Sequence, residues 1–448
     1  MSTSPATTTT AATDPAPPRG ALGLMFDPVF GGLFWGKILS VVAVWTHGIV
    51  AAITMFNATG SAVMVGLVGV AQFGPQLILT PISGKWADVG NQARQILLGR
   101  LLCTAGSGLI AAWLFLSPHM QGVAVAVPIL IGTTLVGFGF VVGGPAMQSI
   151  VPSLIRPGEL STAMALNSLP MTVGRIAGPA VGAYIAASFG APTAFAVSCV
   201  LHLLFALILV ALPFPAQTPQ PAGTDYRVRT ALRHVWRDRP LLLALLAVTT
   251  VGFASDPSIT LAPSLADNLG GGSELVGALS AAFGIGAAAG MATLALLRGR
   301  LASARVSVIG LWLLGAGSLV LALSTVTAVA LAGFVVAGVG FGWAMTGLST
   351  VVQERAPDEL RGRIMALWLV GFLGSRPIAA AVLGGTADTI SVAAAFALAA
   401  LSVAVIAVLC RPATLGRPAP FEPVPVGGGS TGADRARSNM VVTNPAEL

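Results

Sequence analysis

The chain has 448 residues, of which 55 % are hydrophobic and only 9 % charged, with a formal net charge of +7. A soluble domain carries roughly 25 % charged residues, so this length divides better into membrane spans than into soluble domains. The positive balance is not a nucleic-acid footprint, because the basic residues are spread over separate connections instead of gathered on one face.

In chain order, the first 20 residues are Thr, Ala and Pro without a basic n-region or an apolar h-region, so no cleaved signal peptide is expected. Residues 1–31 are expected to be a disordered cytoplasmic segment. A spanning helix needs about 20 mostly apolar residues, and helix is required because lipid cannot satisfy free backbone groups. Six stretches qualify before residue 213: 32–56, 61–82, 95–116, 121–148, 160–188 and 191–212. Residues 213–239 form a Pro-rich, then basic, cytoplasmic linker. Six more stretches follow: 240–265, 273–297, 306–323, 328–353, 364–387 and 390–409, the ninth of the twelve being short. The tail, 412–448, is Pro/Gly-rich and polar and is expected to be disordered.

All but Lys37, Arg175 and Arg376 of the 23 Lys and Arg residues fall on alternate connections. They lie near Arg19, in 85–100, at Arg156, in 227–239, 298–305 and 355–363, and after 410. The intervening connections carry none. Connections rich in Lys and Arg stay cytoplasmic, so both termini are expected inside and the number of spans even. The halves also repeat. Pro157-Gly158-Glu159-Leu160 before the fifth stretch matches Pro357-Asp358-Glu359-Leu360 before the eleventh. Gly137-Phe138-Gly139-Phe140 in the fourth matches Gly340-Phe341-Gly342-Trp343 in the tenth. In register, these matches indicate a parallel duplication. The expected fold is an all-α membrane protein of 12 transmembrane helices in two pseudo-symmetric six-helix bundles, 32–212 and 240–411, with both termini cytoplasmic.

Gly84-Lys85-Trp86-Ala87-Asp88, with Arg94 beyond it, resembles the loop 2–3 signature of the major facilitator superfamily, G-x-x-x-D followed by a basic cluster. The cluster is thinned here to Arg94. The resemblance implies that Asp88 sits against the start of the eleventh helix and helps latch the cytoplasmic side, with Gly84, Arg94, Arg361 and Arg363 in that gate. A carboxylate near a helix N-terminus is stabilised by the macrodipole. In the fifth stretch, Gly174, Gly178, Pro179 and Gly182 resemble the G-x-x-x-G-P-x-x-G core of the superfamily's exporter motif, whose physical content is close packing and a Pro bend. Asp358-Glu359-Leu360-Arg361-Gly362-Arg363 further resembles the bacterial branch that holds siderophore and multidrug exporters.

An ionised side chain at a helix centre costs roughly 2.5–3.5 kcal/mol on insertion scales, so each one needs a reason. Arg175 and Arg376 occupy nearly equivalent places in the two repeats. They either line the central cavity and meet an anionic substrate or a carboxylate, or pair structurally with carbonyls or a neighbouring carboxylate and seal a gate. Asp256, followed by Pro257, is the acidic residue well inside a span. His47 lies at similar depth in the first stretch. Either is a candidate carrier of the coupling proton; alternatively Asp256 caps a helix break and His47 is a satisfied packing residue. Lys37 is expected to snorkel to the cytoplasmic surface, His202 to be structural, and Asp267 and Glu274 to be solvated. Tryptophans 35, 45, 113, 312, 343 and 368 divide between interface anchors and an apolar pocket.

No G-x-x-x-x-G-K-[ST] run exists, which gives ATP drive no support. Four His and three Cys are scattered, so no metal site can be assembled from spacing and no cofactor is expected. The expected function is secondary active transport in the cell membrane: a proton-coupled exporter (antiporter) of a hydrophobic or amphipathic drug or siderophore, working by alternating access. The partners are the small-molecule substrate, protons and the bilayer, without nucleic acid or ATP. The alternatives are an uncoupled facilitator or importer of a small metabolite, and a non-transporting scaffold or sensor.

Overall fold

A computed structural model of the chain describes residues 18–214, 228–297, 300–357 and 360–417. Among them the regular structure is entirely helical. A short α1 (Ala21–Met25) precedes α2 (Phe30–Thr59), α3 (Ala62–Val89), α4 (Gln92–Leu116), α5 (Val123–Ser149), α6 (Leu160–Phe189) and α7 (Ala191–Ala211). Then come α8 (Val228–Arg237), α9 (Arg239–Ser255), α10 (Pro257–Thr260), α11 (Ala262–Asn268), α12 (Ser273–Leu296), α13 (Ser303–Ala322), α14 (Thr327–Arg355), α15 (Arg361–Thr389), α16 (Val392–Leu409) and α17 (Pro412–Leu415).

Eleven helical segments of the described residues are long and apolar enough to cross a membrane. The fifth expected span, α6, is 30 residues long but stands outside that set. Asn167, Arg175 and two internal prolines lower its hydropathy without shortening it.

The helix ends follow from local chemistry. Ser61 accepts the N–H of Met64, Asn91 that of Arg94, Asp238 that of Leu241 and Ser391 that of Ala394, each satisfying a donor the first turn leaves free. Gly60, at φ +65, closes α2 in the left-handed conformation.

Several boundaries differ from the sequence expectation. α3 runs on to Val89, so Gly84-Lys85-Trp86-Ala87-Asp88 is helix and not loop. The Asn91 cap starts α4 early enough to carry Arg100 into its third turn, where it is 1 % exposed. The seventh stretch is three helices, because Pro257 and Pro263 supply no N–H to the preceding turn; the N–H of Asp256 turns back to Phe253 O at 3.4 Å. The stretch 18–31, assigned to a disordered tail, holds α1 with Leu24 fully buried. The linker holds α8 and the start of the tail holds α17. The rest of the expected disordered ends and of the linker, with Arg298, Asp358 and Glu359, lies outside the described residues.

The helices before residue 214 meet those after 228 along two seams, α3 on α15 and α6 on α12. At the first seam a β-carbon on Gly66 would stand 2.4 Å from Ala380 O, so only a glycine admits this backbone approach. At the N-terminal end, Glu159 accepts from Arg19 through its backbone N–H (2.6 Å), Nε (2.8 Å) and Nη2 (2.8 Å). The Arg19 guanidinium holds the Glu159 carboxyl well below the usual carboxylate range, and Glu159 in turn raises Arg19. Arg19 also pairs with Asp27, whose Oδ1 accepts the N–H groups of Val29 and Phe30 at the start of α2.

Candidate functional site

The exporter-type motif builds the site by packing. A β-carbon at Gly174 would lie 2.4 Å from Val41 Cγ1, at Gly178 2.4 Å from Trp45 Cβ and at Gly182 3.0 Å from Thr46 Cα. This stripe, one residue per turn, seats α6 directly on α2, and Thr46 Oγ1 donates to Gly178 O at 3.0 Å. Arg175, the next residue after Gly174, is thereby set beside Trp45. Pro179 bears no N–H, so the Arg175 carbonyl lacks its helical donor.

The Arg175 guanidinium lies 4.1 Å from the Phe341 ring centroid, 5.1 Å from that of Phe283 and 5.2 Å from that of Trp45. Its Nη2 is buried without a hydrogen-bond partner. From the other side of the seam comes Arg376, only 2 % exposed. It lies 4.9 Å from Phe73, 5.3 Å from Phe372 and 6.0 Å from Trp45, and its Nε is likewise unpartnered. Trp368, Phe372 and Arg376 follow at four-residue spacing on one face of α15. The rings of Trp368, Phe372, Phe341 and Phe283 form a continuous chain at centroid separations of 5.8, 6.0 and 5.5 Å. Among the described residues no carboxylate stands within ion-pair distance of either guanidinium.

Asp256 is 2 % exposed and accepts from Thr260 Oγ1 at 2.6 Å. It interacts electrostatically with Arg376. The structure therefore brings Arg175 and Arg376 to one centre, with Asp256 within electrostatic reach of Arg376. His47 is elsewhere. Its ring nitrogens meet Ser107 Oγ (Nδ1, 3.0 Å) and Thr133 Oγ1 (Nε2, 3.1 Å), and its ring packs edge-on against Phe195. Both nitrogens are occupied by residues of α4 and α5, and the imidazole faces away from the seam.

Of the gate residues, Gly84 lies in α3 with open space where a side chain would be, and Arg94 is exposed in the first turn of α4. Arg363 is half-buried in the first turn of α15. The side chains of Asp88 and Arg361 lie outside the described residues.

Three buried polar groups were misread or missed in the sequence. Lys37 does not snorkel: it is 6 % exposed, and its ammonium donates to Asn167 Oδ1 at 2.7 Å and Asn167 O at 3.0 Å. Two acceptors offered across the α2–α6 contact replace water. Asn167 then donates to Gln148 Oε1 at 2.5 Å. Arg100, counted with the basic loop, instead donates to Ser40 Oγ and to Gly139 O. Arg355, counted with another, pairs with Asp238 at 2.7 Å, both nearly buried. A carboxylate two residues before Pro240 is a readable helix-start signal; nothing local marks Arg100. Asp267 and Glu274 are exposed, as expected.

Long apolar helices around a buried centre of cations and aromatic rings define a multi-pass membrane transporter. The family model described as transmembrane secretion effector matches residues 20–417, and the chain belongs to that family, within the major facilitator superfamily; it is a cell-membrane transporter and not an enzyme. The chain is 27 % identical over 392 residues to the enterobactin exporter EntS of Shigella flexneri, covering 86 % of this chain and 92 % of that one. It is 26 % identical to EntS of Salmonella typhimurium over the same shares. Solved structures share the fold. A D-xylose–proton symporter superposes at TM-score 0.69 with 14 % identity, covering 88 % of this chain and 98 % of that one. A bacterial homologue of the iron transporter ferroportin, inward-facing, superposes at 0.67 with 16 % identity, covering 86 % and 98 %.

Proposed function

We propose that this protein is a proton-coupled exporter of a hydrophobic or amphipathic small molecule of the siderophore kind. In this reading α6 also spans, giving twelve crossings with both termini cytoplasmic. The residues before 214 and after 228 form two six-helix halves that rock about a site near the midplane. The observation that carries the reading is the burial of Arg175 and Arg376 together where the two halves meet, with Asp256 within electrostatic reach of Arg376. Charged groups at such a depth in a transporter are expected on the transport path. Similarity to the enterobactin exporter supports the substrate class and the outward direction. The aromatic lining supports an apolar body over a sugar, which would need many more polar partners.

Asp256 is the proton carrier in this scheme. Among the described residues its carboxylate accepts one hydrogen bond, from Thr260 Oγ1, and its protonation leaves Arg376 without a neighbouring carboxylate. His47, with both nitrogens engaged inside the first half, is the secondary candidate. Gly84, Asp88, Arg94, Arg361 and Arg363 form the cytoplasmic gate. Two clefts, beside Gln76 and Leu373 and beside Lys37, each offer only about 10 Å³, far below the roughly 300 Å³ of a ligand pocket; in this reading the substrate site opens in another state of the cycle.

The test is secretion under iron limitation by a strain lacking the chain, complemented with either the wild type or Asp256→Asn. Loss of secretion on deletion, rescue by the wild type and failure of Asp256→Asn in vesicles with an imposed pH gradient are expected. Unchanged secretion on deletion would overturn the exporter. Asp256→Asn transport that still follows the pH gradient fully would overturn Asp256 as carrier.

A further inference from the structure

The centre described above is electrically incomplete. Two guanidiniums from opposite sides of the α3–α15 and α6–α12 seams converge on the one indole of Trp45. Asp256 is the acidic side chain nearby and interacts with Arg376; it balances one positive charge at most. Aromatic rings offset part of the remaining cost, but a ring supplies no acceptor for an N–H aimed away from it. Four buried donors are accordingly orphaned on the helices that build this centre: Arg175 Nη2, Arg376 Nε, Trp368 Nε1 and, one turn beyond Phe73 on α3, Gln76 Nε2. All four atoms are N–H groups. A buried charge without a partner and a buried donor without an acceptor are each costly, and both deficits are removed by the same kind of group, an anion with several acceptor oxygens.

We propose that Arg175 and Arg376 together bind the acidic group of an organic anion, a carboxylate or phenolate, whose apolar aromatic body lies against Trp45, Phe341 and Phe372. This rests on the transport reading given above and adds the charge of the substrate to it. The anion also has a mechanical consequence. Arg175 belongs to the residues before 214 and Arg376 to those after 228, so without a shared counter-ion their repulsion opposes approach of the two sides. A bridging anion reverses the sign of that interaction. Once the site has opened to admit it, the anion favours drawing the two guanidiniums back together, and such a differential interaction is what a ligand needs to shift a conformational equilibrium.

The experiment uses the full-length protein in lipid nanodiscs and isothermal titration calorimetry with two isosteric probes, 2-naphthoate and neutral 2-naphthamide, and with sodium sulfate as an inorganic control. Wild type is expected to bind naphthoate at least about 10-fold more tightly than naphthamide, the scale of charge-assisted hydrogen bonds. Arg175→Gln and Arg376→Gln should each bring the ratio close to one. Arg175→Lys and Arg376→Lys should keep part of it, since they retain charge but lose the planar fork. Equal binding of the two probes, binding of neither, sulfate binding as tight as naphthoate, or a ratio untouched by both Gln variants each overturns the proposal. Should a Gln variant not fold, the wild-type comparison of the probes decides alone. Secretion lost on deletion together with equal probe affinities would leave the exporter standing and remove only the anion site.

Discussion

Asp388, in the last turn of α15, accepts the backbone N–H of Ala62, the first residue of α3, at 2.7 Å. It also takes the N–H of Val63 at 3.0 Å and the hydroxyl of Ser61 at 2.5 Å. A carboxylate from one side of the seam thus caps a helix of the other, at the end proposed to face outward. Asp388 is exposed, so the interaction is worth only about 0.3–1 kcal/mol. That suffices to bias two states that differ by little. Asp388→Ala is expected to shift the population away from this arrangement by about 2- to 5-fold on that energy scale, measured as the distance distribution between spin labels on the outer ends of α3 and α15. An unchanged distribution would show that the cap has no part in the conformational equilibrium.

Gly178→Ala would place a methyl 2.4 Å from Trp45 Cβ. The α2–α6 contact must then widen, and overpacking of this kind costs about 1–3 kcal/mol. The expected result is a lower melting temperature together with transport loss, because Trp45 is displaced from both guanidiniums. Transport at the wild-type rate would mean that the stripe serves packing alone.

Asp238 and Arg355 are 2 % and 9 % exposed and ion-paired. Removing one member of a nearly buried pair takes away the other's partner across this contact, at a cost of up to about 3–5 kcal/mol. Asp238→Ala is expected to reduce thermal stability strongly, and the double variant Asp238→Asn/Arg355→Gln to recover much of the loss. A double variant no more stable than Asp238→Ala would contradict the assignment of the cost to the broken ion pair.

Glu159 supplies a pH signature. Its carboxyl is depressed in the folded protein by Arg19, so the charged form stabilises the fold. That contribution is complete above the ordinary value of 4.5 and is lost as pH falls through the lowered value. Melting curves of wild type and Glu159→Gln should therefore differ by a constant amount above pH 4.5 and converge below it. A gap that widens on acidification would reverse the sign and refute the linkage.

Much of the architecture was legible because lipid constrains sequence so strongly. Apolar length and alternate basic connections are properties of contiguous segments, and α2, α4, α7 and α16 lie close to the stretches read from hydropathy. The failures are local and have separate causes. α3 overran its expected end because the Gly84–Asp88 motif is itself compatible with helix. The seventh span broke at Asp256 because proline removes donors that hydropathy does not register. Arg100 and Arg355 were sorted by their nearness to a loop, whereas their acceptors, Ser40, Gly139 and Asp238, come from distant parts of the chain.

By itself the sequence determined the class of protein, the long apolar helices, and the rare charges that need an explanation. It also supplied the glycine stripe that lets α6 lie on α2. Only the tertiary structure decided which of those charges share a centre: Arg175 and Arg376 do, with Asp256 within electrostatic reach of Arg376, while His47 is spent on Ser107 and Thr133 and Lys37 on Asn167. The reason is physical. Hydropathy and spacing describe what one segment needs from its surroundings, but the partner of a buried charge is chosen by packing across segments, and that choice is made in three dimensions.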